Sequence, residues 1–170
     1  MSRKPEFFNK DDYCTPPEVL ALVYAAIGVP ELDPCSNERS LVVSKHAFCP
    51  DKIDGLKTGW GETSTVYMNP PYSNTSQWVE KFLSWSGRGF DAHGGPTQGV
   101  MLLSAETGLV WWQQRLLGNI DRWIFLPRIA FLAAGEPVYG NRCNSVMIYV
   151  GDEGKRVAQV WPKPVFRPCR

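Results

Sequence analysis

The sequence has only two histidines, His46 and His93, and no Cys-x-x-Cys pair among its five cysteines. Cys35, His46 and Cys49 match no common zinc spacing and lack an evident fourth ligand, so no metal site is expected. His93 falls in a Gly-rich connection over 88–98 with no nucleophile beside it and reads as a loop residue, which leaves no base–nucleophile pair. The cysteines (Cys14, Cys35, Cys49, Cys143, Cys169) are odd in number and scattered, which argues against a disulfide framework. No apolar run reaches the roughly 18 residues of a membrane span, and the N-terminus carries no signal-like apolar stretch. The chain therefore reads as soluble and cytoplasmic, with no membrane partner. No internal repeat is present, and 170 residues at 44% apolar content suit one domain with one core.

A net charge of +1 conceals an uneven distribution. Residues 1–114 carry nine Lys/Arg against thirteen Asp/Glu, whereas residues 115–170 carry nine against four. Seven of those last nine are arginines, the residue suited to bidentate phosphate and guanine contacts. The second half thus favours a polyanion, with Arg128, Arg142, Arg156 and Arg167 as candidate contacts; a solvated basic face is the ordinary alternative.

Prolines occur in two informative pairs. Asn69-Pro70-Pro71-Tyr72 follows the apolar run Thr65 to Met68, and two successive prolines continue neither a helix nor a central strand, so a short buried strand ends there in a rigid turn. The turn offers an amide, a backbone carbonyl and an aromatic ring, a set able to hold an exocyclic amine and stack on its ring. Simple punctuation of a strand is the bland alternative. In the other pair, Thr15-Pro16-Pro17-Glu18 predicts a capped helix start, with Thr15 as cap, Pro16 first in the helix and Glu18 closing a capping box. Val19, Leu20, Val23, Ala26 and Ile27 form its apolar face and Gly28 its stop.

Strands are predicted over 29–33, 41–43, 65–68, 100–103, 122–125, 129–133 and 145–150. Helices are predicted after Thr75 or Ser76, with Trp78, Val79, Phe82 and Leu83 inward, and over 109–117. A long turn is expected over 135–144 and a last edge strand over 157–161. Helices alternate with strands early and strands adjoin strands late, the pattern of an α/β, mostly parallel sheet with an antiparallel edge. The expected organisation is a flexible segment over 1–12, one domain over 13–155 and a basic tail over 156–170.

Read together and in order, Thr15-Pro16-Pro17, Leu32-Asp33-Pro34-Cys35-Ser36, Asp54-Gly55-Leu56, Asn69-Pro70-Pro71-Tyr72-Ser73 and Arg128-Ile129-Ala130-Phe131 before Asn144-Ser145-Val146 resemble the phage-type DNA N6-adenine methyltransferases, small Dam-like enzymes. The resemblance spans roughly residues 12–150, and Asn-Pro-Pro-Tyr is its specific element. It implies a Rossmann-like fold, S-adenosylmethionine (SAM) as methyl donor and double-stranded DNA as substrate. Carried over by position, it implies Asn69, Pro70, Pro71 and Tyr72 as the catalytic motif. Asp33, Pro34 and Ser36 then lie in the first cofactor motif, Thr15 and Pro16 beside the methionine moiety, and Asp54 at the cofactor adenine. Two features depart from the family: Cys35-Ser36-Asn37 stands where Gly-x-Gly is usual, and no acid is identified for the ribose hydroxyls, Glu38 being the one candidate.

An adenine stacked in duplex DNA is out of reach of such a turn, so the resemblance also implies base flipping, with Tyr72 as the stacking surface. Sequence readout would then fall to the loops 87–98 and 135–144. Two other readings use the same residues. A protein-glutamine N5-methyltransferase also suits an Asn-Pro-Pro-Tyr turn, although the basic second half speaks against it. A non-catalytic DNA-binding relic of the fold is the other.

Overall fold

The computed structural model describes residues 9–87, 97–139 and 143–151. The edge strand expected over 157–161, the basic tail, His93, most of the 88–98 connection and Arg142, Arg156 and Arg167 lie outside the described residues. None of the described helices is long and apolar enough to cross a membrane.

The first helix, α1 (Pro17–Ile27), buries the five predicted residues Val19, Leu20, Val23, Ala26 and Ile27, and ends at Gly28 with φ +76°. Its start differs from the expectation. A residue before proline is pushed out of the α region, so Pro16 is extended (φ −71°, ψ 154°) and the helix begins at Pro17. No side chain caps it. Thr15 is buried instead, its hydroxyl 2.8 Å from that of Tyr67.

The strands that follow are β1 (Leu32–Asp33), β2 (His46–Ala47), β3 (Thr65–Met68), β4 (Gln98–Ser104), β5 (Arg122–Leu126), β6 (Phe131–Ala133), β7 (Glu136–Val138) and β8 (Ser145–Val150). Two further helices are α2 (Thr75–Trp85) and α3 (Val110–Leu116). Among the described residues, six strands form one sheet in the order β2-β1-β3-β4-β8-β5. The pairs from β2 to β4 are parallel, and β8 is antiparallel to both its neighbours, so β8 alone runs against the other five. The fold is thus a mixed α/β sheet, mostly parallel with its reversal towards one edge, as expected.

Alternation along the strands supplies two cores. Tyr67, Val100, Leu102, Met147 and Tyr149 face α1. Val66, Met68, Met101, Leu103, Val146 and Ile148 face α2 and α3, where Trp78, Val79, Phe82 and Leu83 of α2 pack as predicted. Burial on both faces explains the continuous apolar runs of these strands.

Two strand positions correct the sequence reading. Leu41 to Val43 is not a strand: Leu41 and Val43 are exposed, and the Val43 N–H donates to the Tyr24 hydroxyl at 2.8 Å. The strand lies three residues on, because His46 and Phe48 N–H groups bond the Glu31 and Asp33 carbonyls at 2.8 and 2.9 Å. The expected long turn after 133 contains a β-hairpin instead. Ala134 and Gly135 have φ of +51° and +85° between the paired residues Ala133 and Glu136, the two positive angles of a type I′ turn.

Candidate functional site

Chain order along the sheet reverses at β1: β2 lies on one side of it and β3 on the other. In open α/β sheets a crevice opens there, outside the carboxyl ends of the strands. Asp33 ends β1 and Asn69 follows β3, so the two central stretches of the sequence meet at that crevice. They touch directly, since the Asn69 backbone N–H bonds the Cys35 sulfur.

Asp33 is 3% exposed and accepts the Cys35 N–H at 3.3 Å, with Ser36 and Ser40 hydroxyls also bonded to it. Burial dominates all of these and pushes its carboxyl up from 3.8 to about 7. Between 3.8 and about 7 the folded chain keeps this proton while the unfolded chain has released it, so stability falls as pH rises through that window. Asp33→Asn keeps an acceptor for the Cys35 N–H and is expected to flatten the slope. Denaturant titrations across the pH series measure it; the same slope in both proteins would mean that Asp33 is ionised in the fold.

Gly55 joins a second stretch to the first. A Cβ there would overlap the Pro34 carbonyl oxygen and lie 2.9 Å from the Trp78 ring, so only glycine allows residues 54–56 to seat on Pro34. Lys81 of α2 donates to the Leu56 and Thr58 carbonyls at 2.6 and 2.7 Å, and the Trp60 indole N–H donates to the Gly55 carbonyl at 2.9 Å. The Asp54 side chain is exposed and turned to its own loop: it accepts the Leu56 N–H at 3.0 Å and pairs with Lys57 at 3.0 Å. That lysine holds its carboxyl below the usual range.

At the Asn-Pro-Pro-Tyr turn, Pro70 is buried, Pro71 is extended, and Tyr72 opens a short 3-10 turn (Tyr72–Asn74) running into α2. Asn69 is half-buried, and its Nδ2 donates to the Tyr13 carbonyl at 3.2 Å. A carbonyl can only accept, so the amide presents nitrogen to Tyr13 and Oδ1 elsewhere. Asn69, Pro70 and Tyr72 line a hollow of about 320 Å³ with Ser104, Glu106 and Trp111. That volume falls in the usual range for ligand pockets, about 300–1,000 Å³. Tyr72 also lines a second hollow of about 230 Å³, with Phe131, Cys143 and Ser145. Its hydroxyl is bonded to Ser104 and its acidity is lowered by burial.

The sequence reading overlooked residues on both sides of the crevice. Lys10 and Glu106 line both hollows beside Tyr72, but nothing in their local sequence marks them. Asp51 lines a further depression of about 330 Å³ with Asp12, Asn37, Glu38 and Arg39. Placing the strand at 41–43 hid it; with β2 at His46–Ala47, Asp51 becomes the acid just past that strand's carboxyl end. Of the four candidate arginines, Arg128 alone is described, and it is exposed three residues before β6.

This geometry is that of a chain with recognisable relatives. Residues 3–157 match the family model described as DNA N-6-adenine-methyltransferase (Dam). The DNA N-6-adenine-methyltransferase of Escherichia phage T1 is 28% identical over 179 residues, an alignment covering 94% of this chain and 71% of that protein. The match over nearly the whole chain places it in the family: the protein belongs to the DNA N-6-adenine-methyltransferase (Dam) family.

Proposed function

We propose that the protein is a SAM-dependent enzyme that methylates the exocyclic N6 of adenine in double-stranded DNA, on a Rossmann-like domain over residues 13–155, after flipping the base. The observation that carries this reading is the fixed Asn69 amide, whose Nδ2 is occupied by the Tyr13 carbonyl at the crevice between β1 and β3.

The donor set fits the proposed cofactor. Glu38 and Asp51 bring two carboxylates to one depression, suited to ribose hydroxyls, and Asp33 with Ser36 shapes the loop between that depression and Asn69. Thr15, with Pro16 next to it in the chain, is tied to Tyr67 of β3 by its hydroxyl, and Asp54 lies on the loop that Gly55 seats against Pro34. SAM supplies an electrophilic methyl group on a sulfonium. The protein's own residues handle the acceptor. Asn69 Oδ1 and the Pro70 carbonyl accept hydrogen bonds from the two N6 hydrogens, which frees a lone pair otherwise delocalised into the ring, and N6 sheds one of those protons to solvent once it carries the methyl group. Each such bond contributes only about 0.5–1.5 kcal/mol net, whereas orientation of two reactants contributes roughly 7–11 kcal/mol. Positioning therefore outweighs the bonds themselves. Tyr72 stacks the flipped base, and exposed Lys10 and Arg128 meet phosphates.

Incubation of the full chain with methyl-labelled SAM and duplex DNA is expected to yield N6-methyladenine on digestion. Label confined to cytosine, or to a protein acceptor, would overturn the reading.

A further inference from the structure

Residues 11–14 cross from the catalytic turn to β6, and Asp11, the Tyr13 ring and Cys14 make contacts that the methyl transfer proposed above does not itself use. Asp11 grips the turn: its Oδ1 accepts the Ser73 N–H at 3.0 Å and its Oδ2 the Ser73 hydroxyl at 2.6 Å. A carboxylate at the opening of the Tyr72–Asn74 3-10 turn also satisfies an N–H that has no partner within that turn. Tyr13 follows. Its ring stands edge-on to Tyr72, with centroids 6.4 Å apart and planes at 83°, and stacks on Phe131 at 6.2 Å and 18°. Cys14 then pairs with Leu132 of β6 in both directions, N–H to carbonyl, at 2.9 Å each.

Within this segment the Tyr13 carbonyl takes the Asn69 Nδ2. Rotating the amide would set Oδ1 against that carbonyl, two acceptors with no proton between them, so Tyr13 decides which Asn69 atom is left to face the substrate. We propose that residues 11–14 are a positioning strap for Asn69, with Asp11 anchoring it to the catalytic turn, the Tyr13 ring wedging it between Tyr72 and Phe131, and the Tyr13 carbonyl fixing the amide. The proposal rests on the methyl-transfer reading. Neither Asp11 nor Tyr13 is a catalytic residue in it; both act through Asn69. The strap accounts for why Lys10–Asp12, expected within a loose segment, forms a 3-10 turn against the site.

A double-mutant cycle tests it on the full chain, with single-turnover methylation of duplex DNA at saturating SAM, SAM affinity by calorimetry and melting temperature recorded for every variant. Asp11→Ala is expected to slow the methylation step by about 10- to 100-fold, the range in which misplacing a reacting group falls. SAM affinity and melting temperature should stay near those of the wild type. Asp11→Asn still offers an oxygen to the Ser73 N–H and should recover most of the rate. Tyr13→Ala should resemble Asp11→Ala, whereas Tyr13→Phe, which keeps the ring and the carbonyl, should resemble the wild type. The decisive arm is Asp11→Ala in an Asn69→Ala background, where the second change should cost little, because the strap then has no amide left to orient. Full additivity of the two losses overturns the proposal, as does an unchanged rate in Asp11→Ala. A fall in SAM affinity or melting temperature as large as the fall in rate overturns it in favour of a purely structural role. A wild-type chain that leaves adenine unmethylated in the same assay instead overturns the reading of the site on which the strap depends.

Discussion

Asn69→Ala is expected to lower the single-turnover rate of adenine methylation by about 10²–10³-fold, the cost of deleting one preorganised polar group from an active site. SAM affinity should remain close to that of the wild type. The split follows from where the side chain's interactions are spent. Its Nδ2 serves the Tyr13 carbonyl, and in the mechanism proposed above its Oδ1 is left for an amine whose hydrogens become better donors as the nitrogen gains positive charge. A bond that strengthens towards the transition state appears in the rate and not in ground-state affinity. Folding should be little disturbed, because the bond lost within the protein is a single neutral one worth about 0.5–1.5 kcal/mol. Calorimetry with SAM, single-turnover kinetics and denaturant titration on the same preparation separate these effects. A fall in SAM affinity matching the fall in rate would place Asn69 in the cofactor site and not at the amine.

What the sequence made legible here is bound to local rules. Double prolines must end a strand, and the turn at Asn69 is where they said it would be. The inward faces of α1 and α2 follow from a 3.6-residue period, which needs no knowledge of the rest of the chain. The reversed strand near one edge followed from late strands that adjoin without helices between them.

The misreadings share a different cause: non-local partners decided them. Leu41 to Val43 has the composition of a strand, but β1 bonds its backbone to His46 and Phe48, in a stretch whose polar start, Ser44-Lys45-His46, gives little strand signal. That displacement of a few residues concealed Asp51. The hairpin β6–β7 escaped notice because its turn is Ala134-Gly135, and alanine at positive φ gives no warning where asparagine or glycine would. Thr15 has the residue type of a helix cap, yet the prolines after it hold the chain extended and leave its hydroxyl to Tyr67, a partner 52 residues away. The strap is the extreme case. Asp11, Tyr13 and Cys14 look like the polar start of a domain, and their roles exist only once Ser73, Asn69 and Leu132 are brought beside them.

Gly55→Ala should produce the second large effect, at a residue that touches neither reacting group. A methyl group there overlaps the Pro34 carbonyl oxygen and comes within 2.9 Å of the Trp78 ring. Neither neighbour can yield easily. The Pro34 carbonyl belongs to the backbone immediately after β1, and Trp78 is buried in the face of α2 that supports the sheet. The loop must therefore lift, but it is tied down at three further points by Lys81 on the Leu56 and Thr58 carbonyls and by Trp60 on Gly55 itself. Overpacking of this kind costs about 1–3 kcal/mol. The larger consequence is for ligand binding, because the displaced segment carries Asp54 and rests on the Asp33-Pro34 end of β1, both assigned to the cofactor in the reading above. SAM affinity is expected to fall by about a hundredfold or more, close to 3 kcal/mol, with a smaller loss of folding stability. Lys81→Met offers an internal comparison: it frees the same loop without forcing it away from Pro34, so it should weaken SAM binding less than Gly55→Ala does. Calorimetry with SAM and thermal melting of both variants decide the matter, and undiminished SAM affinity in a folded Gly55→Ala protein would remove the 54–56 loop from the cofactor site.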